Sequence, residues 1–143
     1  MTIQQISVFI ENESGALIAM AEELAKAGVD MYAMLIADAN DYGILRMIVS
    51  DTEKALEVLK TNGHIARVTP VLGVDVMNSP GGLVAALEPL AKAGINVEYV
   101  YAFTAPVNNR ACVVIRVDDN DKATTVLEAA GINPISESDF RGN

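Results

Sequence analysis

Cysteine is nearly absent from this 143-residue chain, and the single one, Cys112, has no partner for an intramolecular disulfide. That usage fits a reducing compartment, so the expected location is cytoplasmic. Long hydrophobic runs are missing too. No stretch approaches the roughly 18 residues that cross a bilayer, and the opening MTIQQISVFIEN lacks the basic head and apolar run of a signal peptide. Basic charge is scarce: ten Lys and Arg face 19 Asp and Glu, for a net charge of −9. This argues against nucleic acid, whose phosphates need a basic footprint, and against anionic membrane surfaces. Histidine occurs once, at His64. With one cysteine and one histidine, no metal-ligand set of those residues can be assembled, and no metal is expected.

What remains is ample for a core, since 51% of the residues are apolar and 20% charged. Their order is written twice. Asn12 meets Asn78 at an offset of 66, and with it Gly15, Leu17, Ala19, Glu22 and Leu24 meet Gly81, Leu83, Ala85, Glu88 and Leu90. Ala25-Lys26-Ala27-Gly28 then meets Ala91-Lys92-Ala93-Gly94. Further on the offset becomes 68, so that Val49, Asp51, Lys54, Leu59 and Gly63 meet Val117, Asp119, Lys122, Leu127 and Gly131. The second copy therefore gains two residues between Phe103 and Ala111, where a hairpin tip would absorb them. Two helical repeats are too few for a solenoid, so the chain reads as two small domains, 1–69 and 70–143.

Each copy parses alike. Ile6, Val8 and Ile10 alternate, as do Leu72, Val74 and Val76, which marks a half-buried strand. A helix follows, with Leu17, Ala21 and Leu24, or Leu83, Leu87 and Leu90, expected on its buried face. Gly28 and Gly94 suit the left-handed residue after a helix. Strands over 29–37 and 95–103 lead to hairpins through Asn40–Gly43 and Pro106–Asn109, then to strands over 44–50 and 111–117. Ser50-Asp51-Thr52-Glu53 reads as a capping box, and Asp118-Asp119-Asn120-Asp121 as the matching helix start. Those helices end at Gly63 and Gly131, and a last strand follows. The order βαββαβ is the ferredoxin-like split unit, and its helices on one face of an antiparallel sheet make each half α+β. Pro89 falls inside the third helix and should disturb it. Ala66–Pro70 is the only candidate linker. Halves of about 70 residues are marginal alone, so two tandem units packed side by side are expected. Strand 29–37 is apolar on both faces, which predicts a homodimer that covers one of them.

A βαββαβ unit that opens with a strand, an Asn-x-Pro-Gly-x-Leu loop and a helix running into Ala-Gly-Ile-Asn-Val resembles the ACT domain. That family comprises small regulatory modules that bind amino acids, often at the seam between two copies. Asn78-Ser79-Pro80-Gly81-Gly82-Leu83 and Ala93-Gly94-Ile95-Asn96-Val97 fit it position by position. The first copy departs twice: Ser14 stands for the proline, and Asp30 for the asparagine after the helix. The resemblance covers nearly the whole chain, with no enzyme attached. It implies no cofactor, a free L-amino acid as ligand, and an enzyme of amino-acid metabolism as partner.

Loop physics points the same way. Ser79 can cap the helix and Pro80 can take its first position, leaving the N–H groups of Gly81 and Gly82 open to a carboxylate. By the resemblance, Asn12 and Asn78 hold the ligand while Asp30 and Asn96 reach it from the neighbouring copy. Two seam sites result. One joins Asn78–Leu83 to Asp30, Met31 and Tyr32. The other joins the loop Glu11–Leu17, with Asn12, Ser14, Gly15, Ala16 and Leu17 as its ligand residues, to Asn96, Val97 and Glu98. The first is expected to bind more tightly, because Asp30 would hold an ammonium group whereas Glu11 and Glu13 would repel a carboxylate from the second.

Plainer readings stand beside these. Asn12 and Asn78 are also good turn residues. His64, just past a helix end, reads as a cap; Cys112 reads as an inert thiol in an apolar strand; Tyr99, Tyr101 and Phe103 read as core or interface. The function expected is a standalone regulatory or sensor protein, not an enzyme. The alternative is a regulatory small subunit of an amino-acid biosynthetic enzyme, acting mainly through protein contact. A small ferredoxin-like enzyme comes third, for want of any base–nucleophile pair.

Overall fold

The computed structural model describes residues 1–38 and 40–141; Gly142 and Asn143, the end of the expected second domain, lie outside the described residues. The chain divides into two compact units, one of Gln4–Thr69 and the other of Pro70 onward together with Met1–Ile3.

In the first unit, β1 (Ile3–Glu11), α1 (Ala16–Lys26), β2 (Met31–Asp38), β3 (Tyr42–Val49) and α2 (Thr52–Thr61) follow in order. β3 lies between the other two strands and pairs antiparallel with both, Val8 opposite Leu45 and Ile36 opposite Leu45. The period-2 pattern of β1 does what its sequence predicts: Ile6, Val8 and Ile10 are buried and join Met20, Leu24, Leu45, Met47, Ala55 and Leu59 in one core. The second unit repeats the plan with α3 (Gly82–Lys92), β5 (Val97–Ala102), β6 (Ala111–Val117) and α4 (Asn120–Ala129). Here β6 pairs antiparallel with β5 and with the later part of β4 (Ala66–Val76). Leu72, Val74, Leu90, Ile115 and Leu127 lead its core. Burying an aliphatic side chain of this size contributes about 1.5–3 kcal/mol, so each unit rests chiefly on this one layer between helices and sheet.

Several local expectations are corrected. Ala66–Pro70 is not a linker; it is the start of β4, and the division between the units falls inside that strand. The last strand of the second copy shrinks to a bridge between Pro134 and Val74, followed by a short 3₁₀ turn at Glu137–Asp139. Proline lacks the N–H that would continue a ladder, which explains the early stop. On α1 the buried residues are Met20 and Leu24, while Leu17 is exposed; on α3 they are Gly82, Ala86 and Leu90, while Leu83 is exposed. The helical stripe is thus turned by one residue from the leucine spacing. The α2 cap is Asp51, accepting from the Lys54 amide at 3.1 Å, and not Ser50. α3 runs through Pro89 to Lys92.

The two extra residues of the second copy do lie at a hairpin tip. Asn108 and Asn109 both have positive φ, 52° and 64°, and Val107 and Arg110 exchange backbone bonds across them at 3.0 and 2.9 Å. This is the two-residue turn whose twist matches a hairpin, and asparagine tolerates it.

Candidate functional site

Among the described residues, the four α-helices start in two different ways. Asp51 and Asp119 cap α2 and α4 with nearly the same backbone, φ −141° and −140°, and each carboxylate accepts the amide three residues on. In contrast, α1 and α3 start from Gly15 and Gly81, with φ of 87° and 86° and no side-chain cap. Only glycine adopts that left-handed backbone without cost. A Cβ built on Gly15 or Gly81 would meet nothing within 4 Å, so the space over both caps is open. In each of these helices a loop carbonyl takes the first amide, Glu13 that of Ala16 at 3.3 Å and Ser79 that of Gly82, so the Gly82 N–H is not open as expected, and the amides after it have no side-chain cap. Ser79 and Pro80 do not act as expected: Ser79 contributes its carbonyl to the Gly82 amide at 3.0 Å, and both residues precede the helix.

Gly82 carries a constraint the motif did not reveal. A Cβ there would lie 1.9 Å from the Met77 carbonyl oxygen, so the chain before α3 folds directly onto this residue. Its counterpart in the first copy is Ala16, which does carry a Cβ. The only sequence signal was a second glycine where the first copy has alanine.

The candidate residues separate as follows. Asn78, Ser79, Pro80 and Gly81 are all exposed, and Leu83 is 42% exposed. Asn12 is tied to the hairpin of its own unit, its amide side chain donating to the Asn40 carbonyl at 3.4 Å and its backbone N–H to Asp41 at 3.1 Å. Asp30 has an exposed side chain and a fixed backbone, because its N–H donates to Ser50 Oγ at 2.8 Å and its carbonyl accepts from the Ser50 N–H at 2.9 Å. That is the true work of Ser50. Met31 and Val97 pack partly against the cores of their units, and Asn96 is exposed.

Each unit also holds a cavity at the same place, between its first strand, the start of its first helix and the chain after its second helix. The first measures about 580 Å³ and is lined by Phe9–Glu11, Glu13–Ala16, Ala19, Met20, Tyr42 and Gly63–Ile65. The second measures about 350 Å³ and is lined by Asp75–Met77, Gly82, Ala85, Ala86, Arg110 and Gly131–Asn133. The expected loop residues Ser14, Gly15 and Ala16 fall in the first cavity, whereas Asn12 and Leu17 line a smaller hollow of about 110 Å³ with Ile36 and Gly43.

The chemistry of the two cavities differs. In the second, Arg110 Nε lies 2.9 Å from Asp75 Oδ2, and the other Asp75 oxygen accepts from Cys112 Sγ at 2.9 Å. Burial, then the bond to Asp75 and its charge, push the Cys112 thiol up to about 12. The thiolate is the reactive form, so this cysteine is quiescent at neutral pH. In the first cavity His64 closes the end of α2 through its backbone, its N–H donating to the Leu59 carbonyl at 2.9 Å, while its Nε2 lies 2.9 Å from Glu23 Oε2 on α1. A hydrogen bond with Glu11, reinforced by that residue's charge, raises the Glu13 carboxyl above its ordinary 4.5. Among the described residues, no three His, Cys, Asp or Glu side chains come together to hold a metal, and no helix is long and apolar enough to cross a membrane.

Comparison with known proteins bears directly on this geometry. A family model described as an ACT domain pair matches residues 1–142. The crystal structure of protein BT0572 from Bacteroides thetaiotaomicron superposes with a TM-score of 0.89 at 41% identity, covering 97% of this chain and 95% of that one. The regulatory subunits of aspartate kinase from Thermus thermophilus, in its ligand-free form, and from Thermus flavus share the fold. Their TM-scores are 0.64 and 0.61 at 18% and 19% identity, covering 89% and 90% of this chain and 91% and 90% of theirs. A search of curated proteins finds no match. Two βαββα repeats, each with an uncapped helix behind a glycine, and a family match that runs to residue 142 lead to one assignment: the chain belongs to the ACT domain family, as an ACT domain pair.

Proposed function

We propose that this ACT domain pair is a regulatory module, not an enzyme, that binds a free amino acid through the loop Asn78–Leu83. The observation that carries the reading is the contrast among its helices. Where α2 and α4 are closed by aspartates, α1 and α3 open on glycines with clear space above and no side-chain acceptor. A ligand carboxylate is the natural acceptor for such amides, assisted by the helix dipole. The resemblance supplies the remainder of the proposal: Asn78 holds the ligand and Asp30 receives its ammonium group by a charge-assisted bond. The same proposal places the protein in the cytoplasm as a homodimer. Support for a dimer comes from β2, which pairs with β3 along one edge and presents Ile36 at 39% exposure.

The test is a thermal-shift screen of the whole chain against the twenty amino acids, since a ligand of the native state raises its melting temperature by mass action. At least one amino acid is expected to give a saturable rise. Asp30→Ala should then weaken that ligand by about 1.5–3 kcal/mol, or more than tenfold, in calorimetry. If no amino acid shifts the melting temperature, the reading fails. A second reading, a regulatory subunit acting mainly through protein contact, draws on Ile18 and Val84. These occupy equivalent places on α1 and α3 and are 62% and 60% exposed. Co-purification with a catalytic subunit, abolished by Ile18→Asp with Val84→Asp, would favour it.

A further inference from the structure

The chain after the second helix serves the two units differently. In the first unit it runs from Gly63–Ile65, which line the cavity, straight into β4, a strand that continues to Val76. In the second unit it bridges Val74 at Pro134 and then crosses the sheet face turned away from the core. Gly73 and Asp75 alternate with the core residues Leu72 and Val74, and Cys112 lies opposite Asp75, so all three point to that face. Ile135 is seated on Gly73: a Cβ there would lie 2.6 Å from Ile135 Cγ1 and 2.8 Å from its Cδ1. The Ile135 N–H donates to the Gly73 carbonyl at 2.7 Å. Glycine within a strand marks a close approach, and the first copy has Ser7 at this position. Farther on, Phe140 packs edge to face on Phe103 with centroids 5.4 Å apart. Val107, Cys112 and Ile135 form one buried cluster, with Phe103 and Phe140 packed against it.

Two features suit this segment to lift as a piece. Its turn is closed within itself: the Ser136 N–H donates to Asp139 Oδ2 at 2.6 Å and the Asp139 N–H to the Ser136 carbonyl at 3.0 Å. Arg141 pairs with Glu137 at 3.1 Å and lies over the Phe140 ring. These bonds travel with the segment. Its root, in contrast, is pinned, since the Ile132 N–H donates to the Leu127 carbonyl at 2.8 Å and the side chain packs on the core. The movable part therefore begins at Asn133, a residue of the cavity wall. The ends of chains are ordered only where they are tied down, and such pieces open locally while the core stays closed. We propose that residues 133–141 are a latch. Seated, the latch walls the second cavity at Asn133 and, through Phe103 and Val107, braces the hairpin that sets Arg110 on Asp75 at 2.9 Å. Lifted, it opens that wall, frees the hairpin and uncovers Cys112. Access to the second cavity is thereby gated, whereas the wall of the first is continuous with β4 and stays fixed. The latch rests on packing and not on the amino-acid reading, so either can fail without the other.

Cys112 reports the opening. Iodoacetamide alkylation of the whole, unaltered chain at constant pH, read by mass spectrometry across a urea series below the unfolding transition, separates a latch from a permanent brace. A local opening exposes little surface, and the urea slope scales with the surface exposed, so a rate nearly flat in urea is expected. The Ile135 amide should exchange with deuterium through the same opening while the Ile115 amide, in the central strand β6, stays protected. Phe140→Ala removes an anchor and should speed alkylation about tenfold or more, since reaction through an opening tracks its population. Gly73→Ala crowds Ile135 and should act in the same direction, severalfold. Phe140→Ala should also raise exchange at the Val107 amide, which the hairpin holds to the Arg110 carbonyl at 3.0 Å. A rate that climbs in urea as steeply as global unfolding, Ile135 and Ile115 amides that exchange together, an unchanged alkylation rate in either variant, or an unchanged Val107 amide would each overturn the latch.

Discussion

The two copies differ least in the backbone of their helix starts and most in the side chains that line their cavities. Asp51 and Asp119 cap equivalent helices with dihedrals that agree within about a degree. The strands facing the cavities have diverged at equivalent positions in register. Phe9 lies opposite Ile44 in one unit, and Asp75 lies opposite Cys112 in the other. One copy has an apolar cross-strand pair, Phe9 and Ile44; the other has an Arg110–Asp75–Cys112 chain. The frame must repeat, because both cores depend on it, whereas this cross-strand pair lies outside both cores and has changed. Duplication thus left one scaffold with two chemically distinct hollows.

The largest test of that asymmetry is at the helix starts. Gly82→Ala places a Cβ 1.9 Å from the Met77 carbonyl oxygen, a backbone atom that cannot turn aside. A loss of about 3 kcal/mol or more is expected in urea unfolding of the whole chain. The reverse change, Ala16→Gly, should cost about 1 kcal/mol or less, from backbone entropy alone. Equal effects would mean that the two loops are built alike after all.

A smaller effect sharpens what the copies share. Asp51→Ala and Asp119→Ala should each destabilise by about 1 kcal/mol, because each removes the acceptor of one amide in the first turn. The two losses should agree closely in denaturant melts, and a marked difference would break the equivalence of the caps.

The smallest effect in stability is a matter of reactivity and concerns Asp75. Burial comes first among the causes that hold the Cys112 thiol near 12, and the Asp75 carboxylate follows. Asp75→Asn removes that charge but not the burial, so the titration should move down towards the ordinary 9.0 without reaching it. Each unit of that shift gives about ten times more thiolate at pH 9 and a correspondingly faster alkylation by iodoacetamide, read by mass spectrometry. The sign also fixes a stability trend. The unfolded thiol ionises near 9.0 and the folded one near about 12, so stability is lost as pH rises through this interval. Asp75→Asn should narrow the interval. An unchanged alkylation rate would show that burial alone suppresses the thiol.

The sequence by itself determined the duplication, the element order and the glycines that end the helices. Gly28, Gly63, Gly94 and Gly131 all take positive φ where the spacing predicts helix ends. These features are local, set by period, turn chemistry and the cost of a left-handed backbone. The family was legible for the same reason, since its motif is a run of loop residues whose spacing is fixed by the turn. Only the tertiary structure decided which residue closes each helix, which face of α1 and α3 is buried, and what meets across a cavity. Met20 displaces Leu17 from the core because the strand beneath α1 sets the rotation of the helix, not the leucine spacing. Glu23 finds His64 across 41 residues, and Asp75 finds Cys112 across 37. Such pairs leave no local signature, because each depends on the register of strands and the docking of helices that only the folded chain fixes.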